Sequence, residues 1–170
     1  MLSIKQSFVM VVALAVAGIQ ACFTSAYAHP HAAGEFPDAS KAAPLQGVHI
    51  EQCWIRAMPV GLPSAGYFVL HNSGAAPISL MGAEAEGFDK TMLHASETKG
   101  GMSAMVHVDH VDIAPGERME FAPGGHHIML EQPTAPVKIG SQQPITLWFD
   151  GDRALSVQCE VRPPSTLPNR

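Results

Sequence analysis

The sequence predicts an all-β domain, an antiparallel β-sandwich or small barrel with little helix, and three observations point to it. Short segments rich in Val, Ile, Phe and Trp recur from residue 48 to 161, cut at close intervals by Gly, Pro and Asn. Several alternate apolar and polar side chains with a period of two, as half-buried strands do. No window past the first 28 residues sustains the 3.6-residue apolar period of an amphipathic helix.

Strands are expected over roughly 48–57, 65–71, 77–84, 90–95, 104–112, 118–121, 126–131, 144–150 and 154–161. The turns between them fall at Pro59-Val60-Gly61-Leu62-Pro63, Asn72-Ser73-Gly74, Ala114-Pro115-Gly116, Ala122-Pro123-Gly124-Gly125 and Asp150-Gly151-Asp152. In the segment 144–150, Ile145, Leu147 and Phe149 share one face. In 104–112, one side carries Val106, Val108 and His110. The other carries Met105, His107 and Asp109, a thioether, an imidazole and a carboxylate, which is not how a strand faces an apolar core.

The ends read differently. Residues 1–28 have a secretory signal's features: Lys5, the apolar stretch Phe8 to Ile19, and the small-x-small site Ala26-Tyr27-Ala28. That stretch is shorter than the ~20 apolar residues a membrane-spanning helix needs, and no other segment comes closer. Export to the periplasm with cleavage near Ala28 is expected, the alternative being lipid anchoring through Cys22. Residues 29–46 read as a flexible leader carrying His29 and His31, residues 47–161 as the folded domain, and residues 162–170, with three prolines, as a disordered tail.

Composition narrows the function. The 170 residues carry 10 Lys and Arg against 15 Asp and Glu, a net charge of −5 with no basic run, which argues against nucleic acid as a partner. There is no His-Glu-x-x-His helix motif and no Gly-x-Ser-x-Gly elbow, so no catalytic signature stands out. What does stand out is 9 His and 9 Met beside only 3 Cys, a set of soft ligands without abundant thiolates. Cys53 and Cys159 survive signal cleavage, and in an oxidising compartment a disulfide is the expected state of such a pair. It would close a loop of 106 residues and contribute about 4–5 kcal/mol on the chain-entropy model.

In a strand, residues i and i+2 point the same way, so His127 and Met129 can converge on one ion while Ile128 packs inward. His94 and Met105 bring the same two ligand types from other segments. The spacing His94-x10-Met105-x21-His127-x-Met129 resembles the signature of the PCu(A)C periplasmic copper chaperones. Further resemblances are Trp54-Ile55-Arg56, Gly66-Tyr67-Phe68, the run Gly124 to Leu130, and Leu147-Trp148-Phe149. Membership would imply a cupredoxin-like, Greek-key β-sandwich holding one Cu(I) through two His and two Met. It would also imply a copper-accepting partner, such as an oxidase subunit or assembly factor of the Cu(A) centre of cytochrome c oxidase. Two positions depart from the family: Ala95 and Ser103 stand where it often has Met, so Met102 and Met92 become candidate auxiliary ligands, with His107 a third.

The chemistry is coherent without the name. Thioether sulfur is soft and favours Cu(I), needs no deprotonation, and cannot be lost to disulfide formation. Cys159 is followed by Glu160-Val161-Arg162, not by the His and Met of a blue-copper site, which disfavours electron transfer. Transport rather than catalysis is expected, with sequestration without an acceptor and a small copper redox enzyme as alternatives. His29 and His31, with a new amino terminus at His29, would offer three nitrogens to Cu(II); a plain leader is the alternative. Pro30, lacking an amide hydrogen, excludes the square-planar amino-terminal site.

Overall fold

The computed structural model describes residues 36–166. Eleven strands follow a single-turn 3-10 segment at Ala39–Lys41: β1 (Ala43–Pro44), β2 (Val48–Arg56), β3 (Ser64–Asn72), β4 (Ile78–Ala85), β5 (Phe88–Lys99), β6 (Met102–His107), β7 (Val111–Ile113), β8 (Arg118–Phe121), β9 (His126–Pro133), β10 (Gln142–Phe149) and β11 (Arg153–Arg162). Hydrogen bonding orders them β6-β5-β9-β8-β3-β2-β11-β10-β4-β7, with β1 on β11 and an added β9–β3 pairing. The expected all-β class holds. The expected antiparallel sheet is instead mixed, because β1–β11, β11–β2 and β8–β9 run parallel. Among the described residues no helix is long and apolar enough to cross a membrane.

One hydrogen-bonded path becomes two packed layers because β2 bends. Gln52 takes a positive φ of 53°, and the β2–β3 register shifts between Glu51 and Trp54. The first half of β2 pairs with the end of β3, and the second half pairs with both β3 and β11. The layers then close on a core in which Ile55, Leu70, Leu80, Ile113, Ile128, Leu130, Ile145 and Leu147 are fully buried. Gly66 has a packing role there: a Cβ at that position would come within 3.1 Å of Ile145 Cδ1 from the opposite layer. Phe68 stacks on Phe121 with ring centres 4.4 Å apart.

The disulfide between Cys53 and Cys159 is formed, joining β2 to β11 across a separation of 106 residues. Other expectations are revised. The segment 104–112 is two strands, since β6 ends at His107 and β7 begins at Val111. The Val108 amide still donates to the Leu93 carbonyl in register with the β5–β6 ladder, and the chain then leaves β5 for β4, with which β7 pairs. Residues 100–101 are a turn between β5, which runs beyond its expected end to Lys99, and β6, which starts two residues early at Met102. Gly100 and Gly101 have φ of 61° and 83° while Lys99 pairs with Met102, the geometry of a two-residue hairpin.

Part of the expected leader is docked. Phe36 lies flat on Trp148, ring centres 5.3 Å apart and planes 5° apart, in the space left by Gly82, and β1 adds to β11. This is why Trp148 is buried although it points away from the side that carries Ile145 and Leu147. At the other end Arg162 still belongs to β11, and the Thr166 amide donates to the Pro163 carbonyl in a turn. The signal segment, Cys22, His29 and His31 lie outside the described residues.

Candidate metal centre

β5 runs between β9 and β6, and its register with both decides what gathers on the outer face. His94 sits opposite His127 of β9 and opposite His107 of β6. Residues directly opposite in a ladder share a face, so the three imidazoles form a row across three strands. His94 has ring centres at 5.9 Å from His127 and 6.0 Å from His107, each edge-on. Two residues along, Met92 sits opposite Met129, and Met105 opposite Ser96. The same face thus holds Met92, Met105 and Met129 beside His94, His107 and His127. The opposite face of these strands supplies Leu93 and Ile128 to the core.

All four primary candidates, His94, Met105, His127 and Met129, lie on this one face. Of the auxiliary candidates, His107 and Met92 are on it. Met102 is not: it pairs with Lys99 beside the hairpin turn, and its position in β6 puts it on the side opposite Met105. No group of three or more His, Cys, Asp or Glu is arranged around one point among the described residues, so nitrogen, oxygen and thiolate ligands alone make no cage here. Any ligand set on this face would have to include the thioethers.

The cluster has a buried side and an open side. His127 is 5% exposed and Met129 9%, whereas Met105 is 62% exposed on the edge strand. The buried side is covered by a second small cluster, Trp54, Ala65 and Tyr67, on the same outer face. Ala65 pairs with Met129 across β3–β9, and the Tyr67 ring lies 6.2 Å from His127. The Arg56 guanidinium sits over the Tyr67 ring at 5.2 Å and donates to its hydroxyl, while Arg162 covers Trp54 at 5.3 Å. In the sequence, Trp54, Arg56 and Tyr67 stand out only as matches to a family. Here they form the apolar, cation-capped wall of the cluster, a role signalled by their period-two spacing within β2 and by the outward parity of Tyr67.

Electrostatics favour neutral imidazoles. Burial pushes His127 below the usual histidine range and the nearby Arg56 charge adds to this, although a hydrogen bond with the Gly125 carbonyl pulls the other way. That bond, Nδ1 to oxygen at 3.1 Å, fixes Nδ1–H as the donor and leaves the Nε2 lone pair free to bind a metal. His94 is pushed down by burial first, then by His127 and His107 beside it. Its Nδ1 is buried without a hydrogen-bond partner. A buried polar atom left unpaired is costly, and a metal ligand bond would satisfy it. Neutral nitrogens and thioethers need lose no proton to bind Cu(I), so the residues present fit that ion.

Among the described residues, the remaining histidines do not join. His126 points to the other face, 5.8 Å from Phe121. His49 and His71 face each other across β2–β3 at 6.5 Å, a pair that sequence separation conceals, and His110 lies 3.7 Å from Asp112.

The chain is similar to several known proteins. The family described as "Putative lipoprotein LpqE-like" matches residues 48–161. A "Putative lipoprotein Lxx21020" from Leifsonia xyli subsp. xyli is 29% identical over 151 residues, covering 88% of both chains. Among solved structures, CuI-DR1885 from Deinococcus radiodurans is 30% identical over 72% of this chain and 81% of its own, with a TM-score of 0.54. The copper-bound PCuAC domain from PmoF2 shares the fold at a TM-score of 0.60 and 23% identity, over 72% of this chain and 98% of its own.

Proposed function

Since the chain belongs to the LpqE-like family, of the PCuAC type its ligand spacing resembles, we propose that it is an exported copper chaperone. It takes Cu(I) as cargo through His94, Met105, His127 and Met129 and passes it to a copper-accepting protein, a reading that includes the Cu(A) assembly route of cytochrome c oxidase. The observation that carries this is the gathering of three imidazoles and three thioethers on one sheet face, with His94 Nδ1 buried and unpaired among them. The copper named in the DR1885 and PmoF2 structures supports the same cargo. Transport rather than turnover is the reading that a half-exposed face of imidazoles and thioethers supports.

The test is Cu(I) titration with X-ray absorption on the wild type and on a Met105→Leu, Met129→Leu double variant. The variant is expected to lose sulfur scattering from the copper shell and to bind at least about tenfold more weakly, of the order seen when metal-site residues are disturbed. Unchanged sulfur scattering would refute the ligand set. A second reading, of the chain's anchorage, gains support from the word lipoprotein in the names of the family and the Leifsonia relative. Lipidation at Cys22 would show as a mass adduct on the processed protein, whereas cleavage near Ala28 would yield an unmodified chain.

A further inference from the structure

The cluster is two overlapping half-sites that share His94. On one side β9 offers His127 and Met129, buried. On the other, β6 offers His107 and Met105, both largely exposed, with His107 56% exposed at its side chain. His94 stands between them, 5.9 Å from one imidazole and 6.0 Å from the other. Two imidazoles bound to one ion at about 2.0 Å place their ring centres about 5–6 Å apart, so His94 can share a metal with either neighbour. His107 is thus as well placed for copper as His127, but on the solvent side. The Asp109 carboxylate lies 3.5 Å from its Nε2, a negative group at the mouth of the site.

We propose that His107 is the exit ligand, through which copper enters and leaves. This rests on the assignment of His94, Met105, His127 and Met129 as the resting site. The step is a ligand exchange: the bonds from copper to His127 and Met129 break as a bond to His107 forms, leaving the ion three-coordinate on His94, His107 and Met105. No electron moves and the charge of the complex is unchanged. The ion shifts from the walled side to the edge strand, where an acceptor's own ligand can replace His94. His127 cannot serve there, since the Trp54 and Tyr67 wall covers it.

The prediction is kinetic. In anaerobic stopped-flow transfer from the Cu(I)-loaded protein to excess bicinchoninate, His107→Ala slows release about tenfold, equivalent to about 1.4 kcal/mol of barrier. Loading slows by the same factor, because one path serves both directions, so the equilibrium affinity stays within about threefold of wild type. His107→Met, which restores a soft ligand, recovers the rate. Because His107 is exposed on an edge strand, its variants keep the fold. Unchanged release in His107→Ala, or an affinity loss that accounts for the whole rate change, overturns the exit role. His94→Ala separates the two levels of the claim: copper retained at full affinity there refutes the resting site, whereas copper lost there, with normal release from His107→Ala, refutes the exit ligand alone.

Discussion

At the scale of single residues, protonation sets the working range of the cluster. His94 and His127 are both held below the ordinary value of 6.5 by burial, so the unfolded chain binds protons that the folded chain refuses. A depressed folded-state value makes stability grow with pH: the contribution is complete above 6.5 and is lost as pH falls through the lower folded values. The thermal midpoint of the metal-free protein is therefore expected to drop between about pH 7 and pH 5, more steeply than in a His94→Gln, His127→Gln variant. Calorimetry across that range checks it, and equal slopes would mean that the two imidazoles titrate alike in both states. Bound Cu(I) keeps the same nitrogens unprotonated in the folded state to lower pH while the unfolded chain still takes up protons, so the loaded protein should show the steeper slope.

At the scale of elements, the β5–β6 hairpin decides which side chains meet. Its two-residue turn requires positive φ at both Gly100 and Gly101, a conformation that β-branched residues avoid. Gly101→Val should cost about 1–3 kcal/mol of backbone strain or force the hairpin into another register. A slip of one residue would turn Met105 and His107 to the other face while leaving the core contacts of β9 in place. Cu(I) affinity is thus expected to fall by more than thermal stability alone would suggest, and competition titration beside thermal unfolding would show whether the two losses part. This hairpin was hidden in the sequence: Gly100-Gly101 lies between Glu97, Thr98, Lys99 and Met102, with no apolar alternation on either side to mark strands. The end of β6 was hidden for another reason, because the alternation through Val108 and His110 continues unbroken while the chain passes from pairing with β5 to pairing with β4. That the candidate ligands share one face was, by contrast, legible, since His127-Ile128-Met129 needs only the period of a strand and His94 and Met105 follow at matched spacing. His107 was legible as a residue on Met105's side, but its equal distance from His94 depends on the β5–β6 register.

At the scale of the whole molecule, stability and cargo handling reside in different places. Alternation read the layered core in advance at Ile145, Leu147 and Phe149. The docking of Phe36 on Trp148 was not readable, because one aromatic in a proline-spaced segment has no periodicity to announce its partner. The disulfide joins β2 to β11, next to the parallel pairing of Trp54 with Glu160 that links the two halves of the sheet. The strands β5, β6 and β9, which carry the candidate ligands, all lie inside the loop it closes, and none carries either cysteine. Its action on the site is therefore indirect: it raises the cost of unfolding without setting the positions of His94, Met105, His127 or Met129. Removing it with Cys53→Ser, Cys159→Ser should cost about 4–5 kcal/mol, chiefly by freeing the unfolded chain. At a temperature where the variant remains folded, its Cu(I) affinity should stay within about threefold of wild type, as expected of a site and a staple that share no contacts. The comparison needs chemical denaturation for stability and a competition titration for copper on the same two proteins. A copper affinity that falls in step with stability would show that β2, through the Trp54 and Tyr67 wall, holds the ligands in place, and the separation of staple from site would then be wrong.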